Sequence, residues 1–87
     1  MWHLYILQCG DNSLYTGVAL NVRRRLEEHS NKQGSKYLRV KGPLRLVYQE
    51  TWSNKSSVLK REAQIKRWSR AKKLALIARD HELLKKL

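Results

Sequence analysis

Two short apolar runs open the chain, Trp2 to Gln8 and Leu14 to Val18, both rich in Tyr, Ile, Leu and Val, with Gly10, Asp11 and Asn12 between them. Runs of that length around turn-forming residues predict a β-hairpin with a short loop. Setting Cys9 opposite Ser13 places Leu7 opposite Tyr15 and Tyr5 opposite Gly17. Tyr5 and Tyr15 then become diagonal neighbours on one sheet face, roughly 7–8 Å apart at the backbone. Gly17 puts no side chain opposite Tyr5, which leaves space beside that ring. Two phenols converging next to a gap is the first sign of a site.

From Asn21 the period changes. Asn21 is the expected N-cap of a helix through roughly Ser30, with Val22 and Leu26 inward at i,i+4 spacing. Arg25 and His29 make a second i,i+4 pair on the adjoining stripe, while Arg23, Arg24, Glu27 and Glu28 face more toward solvent. The run from Asn31 to Lys41 reads as a basic loop, with one helical turn near Ser35 to Leu38. Pro43 opens a third strand, Leu44 to Trp52, whose alternation puts Leu44, Leu46 and Tyr48 on one face. Ser53 or Asn54 caps a helix to about Trp68. Its expected buried stripe is Val58, Leu59, Ala63 and Ile65, with Glu62 at the edge of the stripe and Lys60, Arg61 and Arg67 toward the exposed side. Ser69 starts a further helical stretch through Ala78, and Asp80 caps a short last one carrying Leu83, Leu84 and Leu87. The expected fold is α/β in the α+β sense: a three-stranded antiparallel sheet flanked by helices, in one domain over residues 1–87.

Composition sharpens this. An apolar fraction of 41% supports a packed core, with Trp2, Trp52 and Trp68 assigned to it. The net charge of +12, from 19 basic against 7 acidic residues, exceeds what solubility needs and favours polyanionic partners through counterion release. Cys9 is the single cysteine, so neither an internal disulfide nor a Cys-based metal cage can form, which fits a reducing compartment. The apolar start, Leu4 to Leu7, is too short for a signal or membrane segment, and a cytoplasmic protein with no membrane partner is expected. His3 and His81 lack the spacing of a metal pair and are taken as structural. Lys36, Arg39, Lys41, Lys60 and Arg67 are candidates for tracking a nucleic-acid backbone, chosen by location.

The spacing of the chemistry-bearing residues resembles the GIY-YIG nuclease superfamily. It consists of Tyr5, then Tyr15 with Gly17 two residues on, Arg25 ten residues after the second Tyr, and Glu62 on a later helix. The stretches Leu14-Tyr15-Thr16-Gly17 to His29 and Lys60-Arg61-Glu62-Ala63-Gln64-Ile65-Lys66 carry most of the resemblance, which runs from His3 to about Ile77 and is strongest to the small stand-alone bacterial members. Two departures stand out. His3-Leu4 occupies the place of Gly-Ile in the first motif, and no Asn follows Asn54, where many members have one beyond the metal-binding Glu.

The resemblance implies a metal-dependent endonuclease. Glu62 would hold one Mg²⁺ or Mn²⁺, an arrangement suited to a cation that keeps much of its hydration. Arg25 would bind the scissile phosphate. Tyr5 would act as general base, with Tyr15 orienting the water or sharing that role, and a nearby cation or metal lowering the phenol from its usual pKa of about 10. His29 would position Tyr5 or move protons. DNA is the expected substrate, with RNA also open, and recognition is expected to favour branches, flaps, nicks or single strands over base sequence. No obligate protein partner is implied. The alternative is a nucleic-acid-binding module that cleaves weakly or not at all. A structural ribosome-associated protein would share the charge but explains none of the spacing.

Overall fold

The computed structural model describes residues 1–30 and 44–87. The expected basic loop with its helical turn, and Lys36, Arg39 and Lys41 on it, lie outside the described residues. The elements in chain order are β1 (Trp2–Cys9), β2 (Leu14–Ala19), α1 (Val22–Ser30), β3 (Leu44–Trp52), α2 (Lys55–Lys66), α3 (Arg70–Ile77) and α4 (His81–Lys86). The three strands form one antiparallel sheet in the order β2-β1-β3.

The hairpin has the expected register, with Tyr5 opposite Gly17 and Leu7 opposite Tyr15. Its turn is closed by the Asn12 N–H donating to the Cys9 carbonyl and the Cys9 N–H donating to the Ser13 carbonyl, both at 2.9 Å. Asn12 takes the left-handed conformation this loop needs, at φ 69°, which Asn tolerates better than most residues. The Asp11 carboxylate accepts from the Ser13 N–H at 3.0 Å and from its hydroxyl at 2.6 Å, pinning the return of the chain.

β1 is the middle strand, with both edges paired, and helices cover both of its faces, so Leu4, Tyr5, Ile6 and Leu7 are all buried in an unbroken run. Leu4 and Ile6 pack with Val58, Ile65 and Leu76 from α2 and α3. Tyr5, Leu7 and Cys9 pack on the other face with Ala19 and Val22, and Leu26 of α1 covers them. Trp2, Trp52 and Trp68 border the first of these clusters as half-buried walls.

The third strand departs from simple alternation. Ile6 pairs with Tyr48 but Leu7 pairs with Leu46, so Val47 is an extra residue in a β-bulge. The bulge reverses the facing of everything beyond it. Strict alternation would put Leu44, Leu46 and Tyr48 on one face, but Leu44 packs in the Tyr5 cluster, whereas Tyr48 turns to the opposite face and packs beside Ile6, together with Val47.

Among the described residues, all four helices begin on an N-cap expected from the sequence. The Asn21, Asn54, Ser69 and Asp80 side chains accept from the N–H groups of Arg24, Ser57, Lys72 and Leu83 at 3.0, 2.8, 3.2 and 3.1 Å. The buried stripe of α2 differs from the expected one. Val58 and Ile65 are fully buried, but Leu59 is 42% exposed and Ala63 is also exposed, while Arg61 and Glu62 are half-buried. The helix is rotated toward Arg61 because that side chain has a partner across the interface, Glu50 of β3, at 2.9 Å. Arg61 therefore does not face solvent as expected.

Candidate active site

Tyr5 sits under the sheet's most restrictive position. A Cβ on Gly17 would lie 2.5 Å from the Tyr5 Oη, 2.6 Å from its Cζ and 3.1 Å from Tyr15 Cε1. The space that the missing side chain opens is thus taken by the Tyr5 ring itself, which reaches from the middle strand across β2. The phenol is 1% exposed, and its ring centroid lies 6.4 Å from that of Tyr15 at an interplanar angle of 36°.

His29, in the last turn of α1, meets Tyr15 edge-on, with centroids 6.0 Å apart at 72°. Its ring contact is therefore with the second tyrosine. The imidazole is buried, and neither ring nitrogen has a hydrogen-bond partner among the described residues. Burial, with the Arg25 charge adding to it, holds its pKa below the ordinary value against the weaker opposing pull of Glu28. Thr16 Oγ1 is a further buried polar atom without a partner among the described residues.

Arg25 projects from α1 with nearly half of its side chain exposed, and its Nε lies 3.6 Å from Glu28 Oε2. Together with Trp2, Ala19, Leu20 and Glu28 it lines a groove of about 260 Å³. Glu62 projects from α2, its side chain 20% exposed and paired with Lys66 at 3.3 Å.

The electrostatics of Tyr5 register all of these groups at once. The phenol is pushed up to about 12, chiefly by burial, with Tyr15, Glu62 and Glu28 adding to the rise and Arg25 opposing it. Glu62 belongs to the helix that packs on the opposite sheet face. The charges of Arg25 and Glu62 both act on Tyr5, one from each of the two helices, in opposite directions. Lys60 and Arg67 are exposed at α2 and its C-cap.

The family model for the GIY-YIG catalytic domain matches residues 1–75. The chain belongs to the GIY-YIG family. A UPF0213 protein of Staphylococcus saprophyticus is 50% identical over 76 residues, covering 87% of this chain and 93% of the relative. A UPF0213 protein of Staphylococcus aureus is 53% identical over 74 residues, covering 85% and 90%. Two solution NMR structures share the fold. The UPF0213 protein of Bacillus halodurans has a TM-score of 0.59 at 39% identity, covering 90% of this chain and 84% of that one. A protein of E. faecalis has a TM-score of 0.65 at 32% identity, covering 91% and 84%. Membership indicates a nuclease-type domain with a nucleic-acid substrate. No helix among the described residues is long and apolar enough to cross a membrane.

GIY-YIG nucleases commonly use divalent metals, and the donor set here fits such an ion in one way only. No cluster of three or more His, Cys, Asp or Glu side chains occurs among the described residues, which leaves a cage of protein ligands without support. Glu62, a half-buried carboxylate paired with Lys66 at 3.3 Å, is of the donor type that suits a hard cation taking its remaining ligands from water and phosphate.

The sequence reading missed a second polar centre of this GIY-YIG domain. Glu50 accepts from the Tyr48 hydroxyl at 2.6 Å, the Trp52 indole N–H at 2.9 Å, and Arg61 Nε and Nη2 at 3.1 and 2.9 Å. Burial alone would raise its pKa, but the hydrogen bonds from Arg61, Tyr48 and Trp52 outweigh that and hold it below the ordinary value. Burial and the bond to Glu50 push the Tyr48 phenol up to about 12. The one available signal was Glu50 flanked at i±2 by two aromatics that share its strand face.

Proposed function

We propose that this chain is a metal-dependent endonuclease that hydrolyses phosphodiester bonds in DNA and selects its substrate by structure rather than base sequence. The observation that supports this reading is the Tyr5–Tyr15 pair, its ring centroids 6.4 Å apart beside Gly17, in a GIY-YIG chain whose Arg25 and Glu62 stand on the two helices that pack against the same outer strand.

In this reading Arg25 exchanges its exposed contact with Glu28 for the oxygens of the scissile phosphate, where a guanidinium neutralises developing charge. Tyr5, after giving up its own proton to solvent with the Arg25 charge favouring the phenolate, accepts the proton of the attacking water through its Oη, and Tyr15 orients that water or shares the role. The new P–O bond forms to the water oxygen, the ester P–O bond breaks, and the leaving oxygen takes up a proton. Glu62 would hold Mg²⁺ or Mn²⁺, which would supply charge neutralisation at the phosphate. His29, neutral through its burial, holds the Tyr15 ring edge-on. Lys60 and Arg67 track the backbone. The lone, buried and free Cys9 supports a cytoplasmic setting.

One observation favours the second reading, a binding module with weak or no cleavage: Tyr5 is nearly inaccessible and its phenol is pushed up to about 12. The test is cleavage of end-labelled linear, flap and branched DNA, and of matched RNA, in Mg²⁺, Mn²⁺ or EDTA. Metal-dependent products, most abundant on the flap or branched substrates, are expected. Tight binding to every substrate with no product in any metal would establish the module instead.

A further inference from the structure

We propose that the groove between the end of β3 and α2, lined by Trp52, Ser57, Lys60, Arg61 and Gln64, binds an unpaired nucleobase of the strand that enters the Tyr5 site. The proposal rests on nucleic acid being the substrate and adds a subsite on the far side of the helix that carries Glu62.

The groove encloses about 410 Å³, within the range of small-ligand sites. Its aromatic wall is fixed: the Trp52 indole N–H is held by Glu50 at 2.9 Å, and the ring is half-buried against the core. A preset aromatic face stacks bases of any sequence with little ordering cost. Arg61 is fixed in turn by its paired bonds to Glu50, and its Nη1 donates to Gln64 Oε1 at 2.8 Å. That bond occupies the carbonyl end of the Gln64 amide and leaves its N–H₂ group to donate to a base edge. Lys60 is exposed at the rim, where it meets phosphate.

Helical geometry links the groove to the candidate metal ligand. At 100° per residue, Ser57, Lys60, Arg61 and Gln64 lie on one side of the buried stripe of Val58 and Ile65, and Glu62 lies on the other. The solvent-facing arc between them carries Lys60, Ala63 and Lys66, with Arg67 at the C-cap, and every charged side chain on that arc is basic. A single strand with a phosphate at Glu62 and a base in the groove crosses this arc, a span of about 10–12 Å, the width of one helix. A duplex has no free base to insert, so the subsite discriminates unpaired from paired nucleic acid.

The test uses the full chain, ¹⁵N-labelled at its indoles, in EDTA so that nothing is cleaved. The Trp52 resonance, assigned by its loss in Trp52→Phe, is followed while a single-stranded oligothymidylate or a duplex of equal phosphate count is added. A saturable shift of Trp52 with the single strand and little with the duplex is expected. In parallel, Trp52→Leu should weaken single-strand binding by about 5- to 100-fold and leave duplex binding within about twofold, while Trp52→Phe keeps most of the affinity. A Trp52 resonance that stays still at saturation, or an equal loss for both ligands, would overturn the subsite. Both readouts are of binding, so the two readings fail separately. Binding at Trp52 without cleavage leaves the subsite and removes the nuclease, and cleavage with a silent Trp52 does the reverse.

Discussion

Whether Tyr5 can lie where it does depends on a single hydrogen atom at Gly17. The register placing those two residues opposite each other could be read from the chain because a short turn fixes it locally. That the ring itself fills the gap could not, since it depends on a side-chain rotamer and on packing from α1. Gly17→Ala should cost about 1–3 kcal/mol, as overpacking of a buried ring does, and should slow cleavage by about 100-fold by displacing the phenol. Thermal melts and initial rates check both, and a parental rate would show that the ring can move without consequence. His29 gives a second prediction. Its folded pKa lies below that of the unfolded chain, so its neutral burial adds stability above about pH 6.5, which is lost as pH falls through the unfolded value toward the folded one. Melting temperature should therefore drop on acidification from pH 7.5 toward 5, and His29→Phe should flatten that slope. An unchanged slope in the variant would assign the acid sensitivity elsewhere.

Among the described residues, local signals located the strands, the helices and their four caps, but not how two of the elements are turned. Strict alternation along β3 misassigned Tyr48 because one extra residue at Val47 reverses the facing, and a bulge leaves no mark in a run that is apolar on both sides. In α2 the apolar positions suggested a stripe through Leu59 and Ala63, whereas the helix is turned so that Arg61 meets Glu50. That pair spans eleven residues and two elements, so no helical spacing rule reveals it. The two features are connected: the bulge brings Tyr48 onto the face where Glu50 and Trp52 already lie, completing the shell around the carboxylate. Arg61 immediately precedes Glu62, and fixing one fixes the facing of the other. Glu50→Ala should destabilise the fold by about 2–4 kcal/mol, since it strands a half-buried guanidinium and removes charge-assisted bonds. Denaturant titration checks this. A loss below about 0.5 kcal/mol would mean the pair is no more than a surface contact.

The candidate site takes its residues from both faces of the sheet. Tyr5, Tyr15, Arg25 and His29 belong to the face under α1 and Glu62 to the helix on the other, with the Tyr5 phenol reaching over Gly17 toward the outer strand. Joint occurrence of these residues could be recognised in the chain; that they act as one site is the proposal the cleavage test addresses. Around them the field of a +12 chain attracts polyanions without choosing among them. Choice requires geometry, and a carboxylate facing phosphate in such a field is meaningful only if a cation sits between them. The decisive measurement is single-turnover cleavage of a flap DNA in Mg²⁺ by the parent chain and by Glu62→Ala, with affinity for the same DNA measured in EDTA. The parent should cleave, and the variant should bind at least as well while losing about 100- to 1,000-fold or more in rate. A variant that still cleaves at the parental rate would contradict the assignment of Glu62 and the mechanism built on it.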